Sequence, residues 1–229
     1  MQTKIIFEDK DIIVIYKPAG IAVQSARIGQ TDVESELKSH LAAKEKQAGY
    51  SPYLGIVHRL DQPVEGLLVF GKNRKAAADL SRQVQGVGFH KEYRAAVCGI
   101  PGAQSMELVD YLKKEDGRAV VCVGEGKKAI LHLEVLQTKK LGEDCISLLS
   151  VRIETGRFHQ IRVQLAHAGF PILGDKKYGS EKSLSLSKTM GGCNTALSAC
   201  RLFFQHPVTH KKLEYTSTPV NPVFSIFSE

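Results

Sequence analysis

The sequence predicts an α+β fold, with a largely antiparallel, mixed β-sheet and flanking helices and loops. Short β-branched and apolar runs bounded by turn residues recur along the 229 residues, whereas only a few segments show helical spacing. A hydrophobic content of 43% and this length are sufficient for a sizeable core. No repeat or long linker divides the chain, so we expect a single domain over residues 1–229.

The first half of the chain begins with a predicted strand at 12–16, which ends at the turn Lys17-Pro18-Ala19-Gly20. Residues 31–34 combine Thr, Asp and Glu in an order typical of a helix N-terminus. A buried strand is predicted at 66–70. Asn73 then caps a helix that runs to about Gln85, because apolar residues recur there at helical spacing.

The second half is predicted to consist mainly of strands. These strands are expected at 93–98, 119–123, 129–136, 145–153, 200–204 and 213–216. A helix follows Thr155-Gly156-Arg157 and stops at Gly169. The stretch 176–195 is rich in Ser, Lys and Gly and predicts a mobile loop, and Pro219 and Pro222 are expected to end the regular structure.

Charge and composition restrict the class of protein. The net charge of +7, from 31 Lys and Arg against 24 Asp and Glu, favours contact with phosphate but does not establish it. No apolar run is long enough to cross a membrane, and charge appears too early in the N-terminus for a secretory signal. Five cysteines without Cys-x-x-Cys spacing disfavour a disulfide framework or structural zinc. We therefore expect a cytoplasmic protein.

The segment 57–66 carries the first candidate for chemistry. Asp61 stands two residues after Arg59, and Pro63 and Gly66 indicate a constrained loop before a buried strand. A carboxylate fixed on such a loop is a candidate nucleophile or base. On the spacing alone, a solvated Asp–Arg surface pair is the favoured explanation.

Three further segments have both a functional and a structural interpretation. Arg157 and Arg162 lie at a predicted helix start, where they could bind a phosphate or a carboxylate. They could equally be exposed basic residues without such a role. Tyr93 could stack on a nucleobase or lie in the core. His206 and His210 could bind zinc, but Pro207 disfavours a helix and no matching ligand is apparent, so no metal is expected.

Five ordered blocks of this sequence resemble the RluA family of RNA pseudouridine synthases, over about 200 residues. They are Tyr16-Lys17-Pro18-Ala19-Gly20, His58-Arg59-Leu60-Asp61 with Gly66-Leu67-Leu68-Val69, Lys91-Glu92-Tyr93, residues 155–162 with 174–179, and Leu197-Ser198-Ala199 with Phe204-Gln205-His206-Pro207. The resemblance implies the pseudouridine synthase fold with a central active-site cleft. It also implies isomerisation of uridine in ribosomal or transfer RNA without a cofactor.

The resemblance assigns roles to individual residues. It implies that Asp61 initiates cleavage of the glycosidic bond, that Arg162 pairs with Asp61 and that Tyr93 stacks on the target base. Arg59 is the residue expected to enter the RNA when the nucleotide is flipped out. The remaining residues predicted to bind substrate are His58, Leu60, Leu197, Arg157, His159 and Gln160.

The sequence departs from the family pattern after Asp61, where Val64-Glu65 replaces the usual Thr-Ser and places a second negative charge near Asp61. Ser198 and Gln164 also replace family histidines. No S4-like RNA-binding domain is expected before residue 5, and a monomer is the default. Two alternatives remain: a catalytically silent RNA-binding relative, and a metal-assisted hydrolase that uses His58, Asp61 and His159.

Overall fold

A computed structural model gives the structure of the chain and describes residues 1–25, 29–44, 51–86, 88–192 and 194–227. The chain divides into two compact units. Unit 1 comprises Met1–Lys91 and Ala199–Thr218, and unit 2 comprises Glu92–Ser198 and Pro219–Glu229. The single domain predicted over residues 1–229 stays a prediction.

Both units contain helices and strands. In the first half the elements are β1 Lys4–Glu8, β2 Ile12–Lys17, α1 Val33–Lys44, β3 Gly55–Ile56, β4 Glu65–Gly71, α2 Arg74–Gln85 and β5 His90–Cys98. In the second half they are β6 Ser105–Glu115, β7 Arg118–Cys122, β8 Lys127–Leu141, β9 Asp144–Ile153, α3 Gln160–His167, α4 Glu181–Thr189, β10 Leu197–Gln205, β11 Lys212–Thr216 and a 3₁₀ helix Pro222–Phe227. The predicted α+β class is confirmed.

The sheet of unit 1 has β2 and β4 at its centre. β2 pairs antiparallel with β1 on one side and with β4 on the other, and β10 follows β4. Every residue of β4 is buried, as expected for a strand covered on both faces. Helix α2 packs on this sheet, and the side chain of Asn73 accepts a hydrogen bond from Ala76 N, which confirms the predicted cap.

The sheet of unit 2 is an antiparallel meander of long strands. β9 pairs with β5 and β8, β8 pairs with β6, and β6 pairs with β7. Exposed residues alternate with half-buried or buried ones along most of β6 and β8, so one face of each strand is more buried than the other. Helix α3 follows β9, as predicted, and the chain leaves it at Gly169 with a φ of +90°.

Two predictions about the second half are wrong. The stretch 176–195 contains helix α4, which begins after Ser180 caps the N–H of Ser183. The short side chains of Ser183 and Ser187 are buried, so composition suggested a loop where small residues in fact allow close packing. Regular structure also resumes after Pro219, because Pro222 is the first residue of the 3₁₀ helix. Cys193 lies outside the described residues.

No helix among the described residues combines the length and apolarity that crossing a membrane requires. The four cysteines in the described ranges are free thiols. Cys98 and Cys200 are buried, and Cys122 and Cys145 are half-buried.

Candidate active site

The loop that carries Asp61 is fastened in unit 1 by a buried lysine. Lys17, at the end of β2, has no exposed surface, and its Nζ donates to the carbonyls of Pro18 at 2.9 Å, Ile21 at 2.8 Å and Gln62 at 3.1 Å. The Gln62 carbonyl also accepts from Gly20 N at 2.8 Å. The residue after Asp61 is therefore anchored to the Lys-Pro turn by two donors.

The charge of Lys17 is coupled to two carboxylates. Burial lowers the pKa of Lys17 to about 7, and the negative charges of Asp61 and Glu65 act in the opposite direction. Asp61 itself is partly exposed, whereas Glu65 is 2% exposed. Glu65 therefore lies inside the protein, and its predicted proximity to Asp61 stays a prediction.

Gly66 fixes the path of the chain out of the loop. Its φ is +131°, a conformation that other residues rarely adopt. A Cβ at this position would lie 2.5 Å from both the backbone N and O of Ala199. Only glycine allows β4 to begin this close to the backbone of β10, so Gly66 sets the distance between the Asp61 loop and that strand.

His58 and Leu60 point into unit 1, whereas Arg59 is exposed. His58 Nε2 accepts from Val69 N at 3.1 Å, and its ring packs edge-on against Phe89 at 4.9 Å. Burial, with the charge of Lys91, lowers the pKa of His58 well below its usual value, so the imidazole is neutral. These contacts favour a role in shaping the loop. The substrate contacts predicted for His58 and Leu60 stay predictions.

Unit 2 contains a buried ion pair centred on Arg162. The Nε and Nη2 atoms of Arg162 donate to the two carboxylate oxygens of Asp175, each at 2.7 Å. Asp175 Oδ1 also accepts from Lys177 N at 2.9 Å and from Tyr178 N at 3.1 Å. Burial alone would raise the pKa of Asp175, but Arg162 and these N–H groups outweigh it and lower the pKa.

The sequence did not indicate Asp175 as the partner of Arg162. This aspartate lies in the 174–179 block, but no spacing rule links it to a residue 13 positions earlier. The pairing predicted between Arg162 and Asp61 joins unit 2 to unit 1 and stays a prediction.

Tyr178 and His159 lie beside this ion pair. The guanidinium carbon of Arg162 is 5.1 Å from the centre of the Tyr178 ring, within cation–π range. The Tyr178 hydroxyl contacts His159 Nδ1 at 2.7 Å and accepts from Ala119 N at 2.7 Å. His159 has a φ of +52° at the start of α3. Tyr178 thus contacts both His159 and Arg162, while Phe158, stacked on His159, is 42% exposed.

Gln160 and Arg157 hold the entry to α3. Gln160 is 3% exposed, and its amide contacts Thr155 Oγ1, Arg157 N and Ile130 O at 2.8–3.0 Å. The Nε of Arg157 donates to Lys128 O at 2.9 Å. The substrate contacts predicted for both residues stay predictions, and the saturated amide of Gln160 favours a structural role.

Tyr93 and Leu197 are both buried in unit 2, at 4% and 3% exposure. Tyr93 lies in β5 opposite Val151 of β9. Their predicted contacts with the target base stay predictions.

Among the described residues, one cluster of acidic and histidine side chains is close enough to hold a metal ion. It consists of Asp9, Asp11 and His206. His206 Nδ1 accepts from the N–H groups of Val208 and Thr209, so the proton is on Nε2, which donates to Asp9 Oδ2 at 2.8 Å. A metal on Nε2 would require the proton on Nδ1, where two N–H groups already point. This cluster fits a hydrogen-bond network better than a metal site.

Comparison with known proteins gives one consistent result. The model of the RNA pseudouridylate synthase family matches residues 11–167. The chain is 35% identical over 219 residues to the ribosomal large subunit pseudouridine synthase D of Zymomonas mobilis, covering 93% of this chain and 68% of that protein. It is also 35% identical to an uncharacterized RNA pseudouridine synthase of the same organism, covering 82% of this chain and 83% of the relative.

Solved structures with a similar fold include the human RNA pseudouridylate synthase domain containing 1. The TM-score is 0.76 at 19% identity, and the match covers 95% of this chain and 83% of the human one.

Proposed function

The chain belongs to the RNA pseudouridylate synthase family and is an isomerase that acts on RNA, and from this premise we propose that Asp61 starts the conversion of specific uridines to pseudouridine. The resemblance to the RluA family on the five sequence blocks is confirmed. The observation that carries the role of Asp61 is its anchored loop, in which buried Lys17 holds the neighbouring Gln62 carbonyl.

The reaction breaks the bond between N1 of uracil and C1′ of ribose and forms a bond between C5 and C1′. The hydrogen on C5 leaves as a proton, and N1 gains one, so the overall change is an isomerisation that needs no redox partner. The Asp61 carboxylate initiates cleavage, and a fixed loop keeps it oriented toward the ribose of a flipped-out nucleotide.

Arg162 is proposed to hold Asp61 ionised and oriented. Its guanidinium stays charged at any physiological pH, and its bidentate contact with Asp175 fixes its plane. A preorganised cation favours the carboxylate form of a partner without a change in geometry during the reaction. Tyr93 and Leu197 are proposed to contact the base, and Arg59 to enter the RNA.

The proposed substrate is ribosomal RNA, with transfer RNA as the second candidate. The Zymomonas relative is named for the ribosomal large subunit. The net charge of +7 suits either RNA.

Tritium release tests the reaction. Ribosomal and transfer RNAs are transcribed without modification from uridine labelled at C5, and the enzyme is added in EDTA. We expect wild-type protein to release the label as water and Asp61→Ala to release none while binding RNA normally. Equal release by the two proteins would contradict the role of Asp61. Cleavage of the RNA that requires divalent metal, without tritium release, would favour the hydrolase alternative, because hydrolysis leaves the hydrogen on C5 in place.

The silent-relative alternative rests on Glu65, whose buried carboxylate lies in the electrostatic field of Lys17. It predicts RNA binding without release by wild-type protein. Glu65→Ser would then be the variant in which to look for gained activity.

A further inference from the structure

An open groove of about 480 Å³ lies in unit 1 beside the Asp61 loop. Its walls are the segment that leads into β3, the first turns of α2 and the side chains of Gln24, Glu34 and Arg59. This volume is within the range of about 300–1,000 Å³ that accommodates small ligands. None of the roles proposed for catalysis uses this groove apart from Arg59 at its edge.

An aromatic platform forms part of the groove wall. Tyr53 is 40% exposed, and its ring lies against Gly55: a Cβ on Gly55 would be 3.3 Å from Tyr53 Cε1 and 3.1 Å from its Oη. The same Cβ would be 2.4 Å from the Cβ of Ala77 in α2. Glycine at position 55 therefore lets the ring rest on β3 while the strand touches the helix, which leaves a ring surface facing solvent.

Two arginines also line the groove. Arg59 is exposed, and its Nη2 donates to Gln24 Oε1 at 2.7 Å. Gln24 Nε2 in turn donates to Glu34, whose charge is compensated by Lys38 at 2.7 Å. Arg74, in the first turn of α2, is also exposed and lines the groove. The lining of the groove thus includes an exposed aromatic ring and two exposed arginines.

We propose that this groove is a second RNA subsite, which takes a single-stranded nucleotide flanking the isomerised uridine. Tyr53 stacks on its base and Arg74 contacts its phosphate. The combination of an aromatic face with arginines is typical of single-stranded nucleic-acid recognition. The location follows from Arg59, which lines the groove and stands two residues before Asp61. This inference rests on the proposed function in one respect: the nucleotide next to the subsite is the isomerised uridine only if Asp61 is catalytic.

Equilibrium binding to unmodified, transcribed large-subunit ribosomal RNA tests the platform. We expect Tyr53→Leu to weaken binding about ten-fold through lost stacking, and Tyr53→Phe to bind within about two-fold of wild type. Circular dichroism and thermal unfolding identify any variant that fails to fold. Equal affinity of folded Tyr53→Leu and wild-type protein would overturn the proposal.

Arg74 has a matched control in Lys75, which is exposed on the same helix outside the groove. The slope of log binding constant against log salt concentration measures the number of phosphate contacts. Arg74→Ala should reduce this slope by about one, whereas Lys75→Ala should leave it at the wild-type value. Equal slopes for the two variants would count against a phosphate at Arg74.

Photo-cross-linking with the same RNA containing 4-thiouridine locates the contact. We expect a cross-linked peptide that spans Tyr53, and cross-links confined to other segments would refute the subsite. A groove that binds polyglutamate, with RNA affinity unchanged in Tyr53→Leu, would belong to an acidic peptide and equally overturn the proposal.

The two proposals fail in different ways. Tritium release by wild-type protein with unaltered RNA binding by Tyr53→Leu rejects the groove and retains the reaction. Weakened binding by Tyr53→Leu without any tritium release retains the groove as an RNA site and rejects the reaction.

Discussion

Lys17 in unit 1 and Arg162 in unit 2 are both buried cations, but they are held in different ways. Lys17 donates to three backbone carbonyls, and the negative charges of Asp61 and Glu65 favour its charged form. Arg162 instead forms two parallel hydrogen bonds with Asp175. The pKa of Lys17 is lowered to about 7, whereas a guanidinium does not deprotonate in proteins.

This difference separates two tasks. The loop of Asp61 is held by a cation whose charge depends on pH near neutrality. The residue proposed to orient Asp61 has a permanent charge, and its own partner fixes its direction. Carbonyl dipoles stabilise a buried ammonium less than a carboxylate does, so the two sites should respond differently when a partner is removed.

The largest expected effect is the loss of the carboxylate that balances Arg162. Asp175→Ala leaves a buried guanidinium without its bidentate partner, which should reduce the free energy of unfolding by about 3–5 kcal/mol. Urea unfolding followed by circular dichroism measures this. The double variant Arg162→Leu/Asp175→Leu should regain most of the loss, and a single variant as stable as wild type would contradict the role of the pair.

A smaller effect is expected for Lys17→Met. The Pro18 and Ile21 carbonyls lose a donor and buried Glu65 loses a compensating charge, so we expect a loss of about 2–3 kcal/mol in the free energy of unfolding. Tritium release should also fall, because the Gln62 carbonyl in the Asp61 loop loses one of its two donors.

The matched control is Lys10→Met, which changes an exposed lysine and should alter stability by less than about 0.5 kcal/mol. Adding Glu65→Gln to Lys17→Met should restore part of the loss, because a neutral amide is less costly to bury. No restoration would mean that Glu65 and Lys17 are not energetically coupled.

The pH dependence of stability sharpens the comparison further. Lys17 has a pKa of about 7 in the folded protein and about 10.5 when unfolded, so the unfolded chain binds more protons between these values. Its contribution to stability therefore rises with pH above 7, by at most about 1.4 kcal/mol per pH unit. The difference in unfolding free energy between wild type and Lys17→Met should grow from pH 7 to pH 9, and parallel curves would contradict this.

Local signals predicted most of the fold. Helix α2 could be located because its cap and its apolar face are formed by residues close together in the sequence. Strand β4 could be located because it is a continuous apolar run. Helix α4 could not, since its buried face consists of serines whose fit depends on Gly174 and Gly179 against Ser187 and Ser183.

Strand β6 is a second element that the sequence did not indicate. Its inner face includes Asp110, which accepts a hydrogen bond from Gln164 of α3 at 2.8 Å. A charged residue on the inner face disrupts the apolar alternation that marks a strand.

The candidate site also has a part that the sequence could predict and a part that it could not. The resemblance identified Asp61 and Arg162 because they lie in contiguous blocks. The anchoring of Gln62 by Lys17 and the pairing of Arg162 with Asp175 connect residues distant in sequence, so only the structure revealed them.

The smallest expected effect concerns the hydroxyl of Tyr178, since the cation–π contact with Arg162 needs only the ring. Tyr178→Phe should cost about 1 kcal/mol, because Ala119 N loses its acceptor, but should leave single-turnover tritium release close to wild type. Tyr178→Leu also removes the ring face and should slow turnover more than it weakens RNA binding. If both variants turn over at the wild-type rate, Asp175 alone suffices to hold Arg162. If Tyr178→Phe is already slow, the contact between Tyr178 and His159 has the orienting role instead.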